Sequence, residues 1–314
     1  MNAPVGSRKK LRHRTENDFV RLSRNRVHTP LSLTGTLPSK HMIPNFQVLG
    51  VRVHAVQMSE SIERLCSWIR KSQSVTHYVA VTGMHGIAES RVDRDFWKVL
   101  NAADLVVPDG MPLVWLARIK GYPLRHRVCG SELMDGFCEV TRSAHRHFFY
   151  GGLPGVAESV ANALHEKYGI VVAGTYTPPF RPLTTAEEEE LASSVERASP
   201  DVLWVGLSTP KQEKWMYEHR HKLKVPVMLG VGAAFNMNSG NLRRAPRWMR
   251  DSGLEWLFRL LSEPRRLWKR YLITIPIAVW FVGLELLQTS VWRSLTMQRG
   301  KTQAANPTGE SPLP

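Results

Sequence analysis

The 314-residue sequence is short of cysteine, of long apolar runs and of the glycine pattern that marks dinucleotide folds. Cys66, Cys129 and Cys138 cannot pair evenly and show neither CxxC spacing nor a neighbouring histidine cluster, which excludes a disulfide framework and argues against zinc. A reducing, cytosolic setting follows. The N-terminal MNAPVGSRKKLRHRTEND lacks the apolar stretch of a signal peptide, so residues 1–45 read as a disordered basic extension. Only LITIPIAVWFVGL, residues 272–284, is continuously apolar. Thirteen residues interrupted by Pro276 fall short of the roughly 20 a spanning helix needs, so the segment reads as a buried or interfacial helix. The absence of GxGxxG disfavours a nicotinamide or flavin cofactor.

What is present is positive charge at the ends. Of a net +15, residues 1–28 contribute eight Lys/Arg against two acids and residues 241–301 twelve against four. The body between them is close to neutral, so the cationic ends point toward an anionic surface, either a bilayer or a nucleic acid.

From residue 46 to 240, short β-branched runs alternate with helical patterns. Strands are expected at 46–53, 78–82, 104–108, 147–151, 170–174, 201–206 and 226–231. Helices such as SESIERLCSWIRK, PGVAESVANALHEKYG and TAEEEELASSVERA repeat apolar residues at i, i+3, i+4 and i+7. This cadence predicts an α/β fold with a parallel sheet flanked by helices on both faces. Ligands of such sheets sit at the carboxyl ends of the strands, which directs attention to the loops there.

Those loops hold the candidate chemistry. In PDG, Asp109 follows an apolar strand and could serve as a general base, while Gly110 admits a substrate to the backbone. In GGLPG, Gly151 and Gly152 precede a helix and could cradle a phosphate or simply make a tight turn. In TPKQEKW, the Gln212 amide could meet a uracil or a phosphate at a helix start. His85 is the one histidine at a strand end. DRD, residues 93–95, imitates a metal-binding DxD but falls where acids complement a helix dipole, so it reads as a helix start. No metal site is expected.

The C-terminal RRAPRWMRDSGLEWLFRLLSEPRRLWKRY reads as three short helices: one opened by Pro246, one by a Ser252–Glu255 capping box, one near Ser262 and Pro264. Leu257, Leu260, Leu261, Trp268 and Tyr271 form an apolar stripe, Arg259, Arg266 and Arg270 a cationic one. Cations interleaved with tryptophans suit the headgroup region of a bilayer.

That last string, with NAADLVVPDGMPLVW, RVCGSEL, GLSTPKQEKW and GVGAAF, resembles the WecG/TagA/CpsF family, glycosyltransferase family 26, over residues 47–272. The resemblance implies a Rossmann-like domain, at 46–240, with a helical appendage, at 241–298, which the cations and tryptophans make membrane-associating; residues 299–314 read as a disordered tail. It further implies an inverting transfer, without metal or cofactor, from a UDP-sugar to a polyprenyl-diphosphate-linked saccharide. The setting would be the inner face of a bacterial cytoplasmic membrane, in surface polysaccharide assembly, with no nucleic-acid partner and with the oligomeric state left open. Carried over by position, it makes Asp109 the base and places Thr82, Arg127 and Gln212 near the donor. Arg259, Arg266 and Arg270 would reach diphosphate or lipid phosphate. The sequence departs from the family at Met84, where Asn is common, at Asn236, where Asp is usual, and at Glu132, which replaces a frequent Asp. Met84 cannot hydrogen-bond a sugar as an amide can. An N-acetylmannosamine-type donor stands ahead of a glucose or glucuronate type; an inactive member or a nucleic-acid-binding protein are the rival readings.

Overall fold

The computed structural model describes residues 43–71 and 75–265, then 267–269, 271–273, 275–277, 279–280, 282–284 and 287. Residues 1–42 of the N-terminal extension, the tail, Arg266 and Arg270 therefore lie outside the described residues, whereas residues 43–45, expected to be part of that extension, lead into the first strand at Asn45.

The chain opens with a hairpin of β1 (Asn45–Val48) and β2 (Val51–His54), paired antiparallel. A single strand over 46–53 was expected. Leu49 and Gly50 both take positive φ, 52° and 80°, which is the two-residue turn that reverses a strand with the native twist. There follow α1 (Met58–Lys71), β3 (His77–Thr82), α2 (Met84–Ser90), α3 (Arg94–Ala102), β4 (Leu105–Pro108), α4 (Met111–Ile119), α5 (Gly130–Thr141), β5 (Arg146–Gly151) and α6 (Val156–Tyr168). Then come β6 (Val171–Tyr176), α7 (Thr185–Ala198), β7 (Val202–Gly206), α8 (Lys211–His219), β8 (Val227–Gly230) and α9 (Ala234–Asn238).

Six strands form one sheet in the order β4-β3-β8-β7-β5-β6, every adjacent pair parallel. Because successive side chains alternate across a sheet, each strand feeds two cores. On one face Ala80, Val106, Tyr150, Leu203 and Met228 pack under α2, α3, α4 and α8. On the other Val79, Val107, Phe149, Trp204 and Leu229 pack under α1, α5, α6 and α9. Both faces are covered, as the near-continuous apolar strands require. Helix ends follow local chemistry: Thr184 and Glu187 form a capping box for α7, and Gly169, at φ 70°, closes α6.

The C-terminal segment continues as α10 (Arg247–Asp251), α11 (Glu255–Ser262) and a helical stretch, α12 (Leu267–Leu284). The expected Ser252 cap is absent. Its hydroxyl donates instead to the Met249 carbonyl at 3.3 Å, α11 starts after Leu254 without a side-chain cap, and Glu255 turns to other partners. The third helix is also longer than expected, since the chain stays helical through Pro276. Its 18 residues have a mean hydropathy of 1.3 and are only 7% buried, so this is not a core helix; by length and composition it could cross a membrane.

Candidate active site

The carboxyl ends of β3, β4, β7 and β8 meet in one crevice. Strand β3 delivers the Thr82 carbonyl, which accepts the Asp109 N–H at 3.0 Å and ties the loop after β4 to its neighbour. Gly83 permits that approach, because a Cβ there would stand 2.6 Å from the Asp109 carbonyl oxygen. Gly110, at φ 116°, then turns the chain into α4. The Val128 N–H donates to the Pro108 carbonyl at 2.9 Å, which sets Arg127 beside Asp109.

Arg127 is the centre of an ionic cluster. Its guanidinium lies 3.5 Å from Asp109, 3.7 Å from Glu132 and 2.8 Å from Glu255 of α11. Glu132 is also paired with Arg250 of α10. Asp109 keeps 31% of its side chain open toward the cleft, yet the protein around it pushes its carboxyl up to about 6. Burial is the main cause; Arg127 and Arg259 pull it down, Glu255 and Glu132 push it up. A carboxylate tuned to that range can take a proton near neutral pH.

Two cavities share Asp109, His85, Glu255, Arg259 and Tyr271. The smaller, about 140 Å³, is polar and bounded by Ser208, Thr209, Gln212, Gly232 and Asn236. The larger, about 470 Å³, starts at Met84, Gly110 and Arg127 and runs between α4 and the C-terminal helices, walled by Met111, Trp115, Ile119, Trp256, Ile275 and Val279. Trp115, Ile119, Trp256 and Val279 are exposed at its rim.

Of the sequence candidates, Asp109, Gly110, Met84, Arg127, Gln212, Arg259 and His85 thus surround one crevice. Thr82 does not line either cavity: it is fully buried, with its hydroxyl under α2, where a Cβ on Gly86 would come within 2.3 Å. Gly151 and Gly152 also stand outside both. A Cβ on Gly151 would fall 2.8 Å from the Gly206 carbonyl carbon, and the Gly152 N–H donates to the Gly206 carbonyl at 3.1 Å, so both serve the contact of β5 with β7. Asp93 of DRD caps α3 by accepting the Phe96 N–H at 2.9 Å and pairs with Lys214 at 2.6 Å. Among the described residues, no three His, Cys, Asp or Glu side chains converge as a metal-holding group.

Sequence reasoning missed Glu255, Arg250 and Glu213. Glu255 carried a misleading signal, its three-residue spacing from Ser252. Glu213 stands in the first turn of α8 yet is fully buried, and burial pushes it up to about 7.

A model of the glycosyl transferase WecG/TagA/CpsF family matches residues 46–291. An N-acetylglucosaminyldiphosphoundecaprenol N-acetyl-beta-D-mannosaminyltransferase of Bacillus subtilis (strain 168) is 32% identical over 185 residues, covering 59% of this chain and 70% of its own length. The protein of the same name from Bacillus spizizenii is 33% identical over 180 residues, 57% of this chain and 67% of its own. That of Staphylococcus aureus (strain MRSA252) is 25% identical over 251 residues, 79% and 96% respectively.

Proposed function

Because the chain belongs to the WecG/TagA/CpsF family of glycosyl transferases, we propose that it moves one sugar from a UDP-sugar to a polyprenyl-diphosphate-linked saccharide, with inversion and without a metal, in surface polysaccharide synthesis. The relatives' names favour N-acetylmannosamine as the sugar and an N-acetylglucosaminyl-diphosphoundecaprenol acceptor. The observation that carries the reading is Asp109, set where a polar cavity meets an apolar groove.

Each compartment has one substrate. The sugar nucleotide occupies the polar cavity and the lipid-borne acceptor enters by the groove, its isoprenoid against Trp115, Trp256 and Val279. Asp109 takes the proton of the acceptor hydroxyl as its oxygen attacks the anomeric carbon. The bond from that carbon to the diphosphate breaks, and UDP leaves with the electron pair from the opposite face. Arg259, which borders both compartments, meets the charge that develops on the leaving diphosphate, while Arg127 stays beside the base, 3.5 Å from Asp109.

Association with the inner face of the cytoplasmic membrane follows from a lipid acceptor and from the exposed Trp248, Trp256, Trp268 and Trp280 of the C-terminal helices. Nucleic acid is not a proposed partner, because Arg127, Arg244 and Arg250 are engaged by carboxylates.

The test is a panel of UDP-sugars offered with a lipid-diphosphate-linked acceptor, read by product mass. UDP-N-acetylmannosamine is expected to add one N-acetylhexosamine. If no UDP-sugar in the panel is transferred, the reading fails.

A further inference from the structure

Gln212 is 2% exposed and forms part of the wall of the polar cavity. Its Nε2 donates to Glu213 Oε1 at 3.0 Å, and its Oε1 has no hydrogen-bond partner among the described residues. Oε1 is also the carboxamide atom nearest Gly232, whose backbone lines the same cavity: a Cβ there would stand 3.3 Å from Oε1 and 3.8 Å from Nε2. A buried carbonyl oxygen without a donor is costly unless a ligand supplies one.

We infer that Glu213 is a positioning residue: it fixes the Gln212 carboxamide with its carbonyl oxygen toward the cavity, so this wall receives an N–H or O–H group of the sugar nucleotide and not a phosphate oxygen. The inference rests on the sugar-nucleotide reading above.

Three features support it. Glu213 is fully buried, and its Oε1 accepts from both Thr209 Oγ1, at 2.9 Å, and Gln212 Nε2. Turning the amide over would set two acceptor oxygens against each other. A phosphate oxygen, itself an acceptor, would meet the Gln212 carbonyl with repulsion. The donor group has two sources within a UDP-sugar, the imide N–H of uracil and a sugar hydroxyl.

Glu213→Gln separates orientation from folding. The new amide can donate to Gln212 Oε1 and allow the carboxamide to reverse. Titration calorimetry on the full chain with UDP, CDP and UDP-N-acetylmannosamine reads two preferences: UDP over CDP, whose ring nitrogen lacks the imide proton, and sugar nucleotide over UDP. The variant is expected to lose at least tenfold of the first if uracil is the donor, or of the second if the sugar is. In a Gln212→Leu background the same change is expected to alter neither preference further. Intact preferences in Glu213→Gln, or an equal loss in both backgrounds, overturn the inference while the proposed function stands. A wild-type chain that binds no uridine nucleotide removes both.

Discussion

Arg127 and Glu255 lie 2.8 Å apart, joining the loop before α5 to the first turn of α11. The same guanidinium reaches Asp109, so the proposed base feels the C-terminal segment directly. Removing Glu255's charge by Glu255→Gln is expected to lower the Asp109 pKa and move the acid limb of the rate profile below its wild-type position near pH 6. Arg127→Ala should move that limb upward. A limb that stays fixed in both variants would separate Asp109 from the titration that controls rate.

Asp109→Asn should leave nucleotide affinity and the fold intact while lowering transfer by roughly 100- to 10,000-fold, the usual worth of a general base. Single-turnover rates beside UDP titrations check it. Wild-type turnover in this variant would remove Asp109 as base.

Stability carries the same signature with a defined sign. The folded pKa of Asp109, about 6, lies above the value of about 3.9 for an unfolded aspartate. Its contribution to stability is therefore complete below that unfolded value and lost as pH rises through about 6. Thermal melts should show Asp109→Asn raising Tm near pH 7.5 and leaving it unchanged near pH 4. Glu213 adds a slope of the same sign, lost through about pH 7, that this variant retains.

Gly151→Ala should cost stability rather than nucleotide affinity. Its φ of 117° and the Gly206 backbone 2.8 Å from a new Cβ impose both strain and overpacking. A loss of about 1–3 kcal/mol is expected from denaturant unfolding. Unchanged stability with weakened UDP binding would revive the phosphate-cradle reading of this turn.

Truncation after residue 242 should release the protein from anionic liposomes and lower turnover, because it removes Glu255 and Arg259 from the crevice together with the exposed tryptophans. Liposome flotation of the shortened chain at wild-type levels would count against a membrane role for this segment.

The sheet was legible because its strands are apolar on both faces and its helices are amphipathic; both patterns survive without tertiary context. Asp109 and Gln212 were legible because loops at parallel strand ends are few and chemically distinctive. Local chemistry misled where tertiary contacts prevailed. Ser252 and Glu255 have capping spacing, but Glu255 finds a buried arginine, an ion pair with no signature in nearby sequence. Leu49 reads as a strand residue, and only its positive φ shows the reversal. Thr82 stands at a strand end, yet nothing in the sequence shows that its hydroxyl points beneath α2 rather than into the crevice.

Leu267 is 2% exposed and borders the same small cavity as Gln212, while Leu272, Ile273 and Trp280 farther along α12 are more than half exposed. The helix thus borders the two cavities along one side, through Leu267, Tyr271, Ile275 and Val279, while Leu272, Ile273 and Trp280 stay open to the surroundings. A surface that covers those open residues therefore lies only one helix diameter, about 10–12 Å, from the crevice.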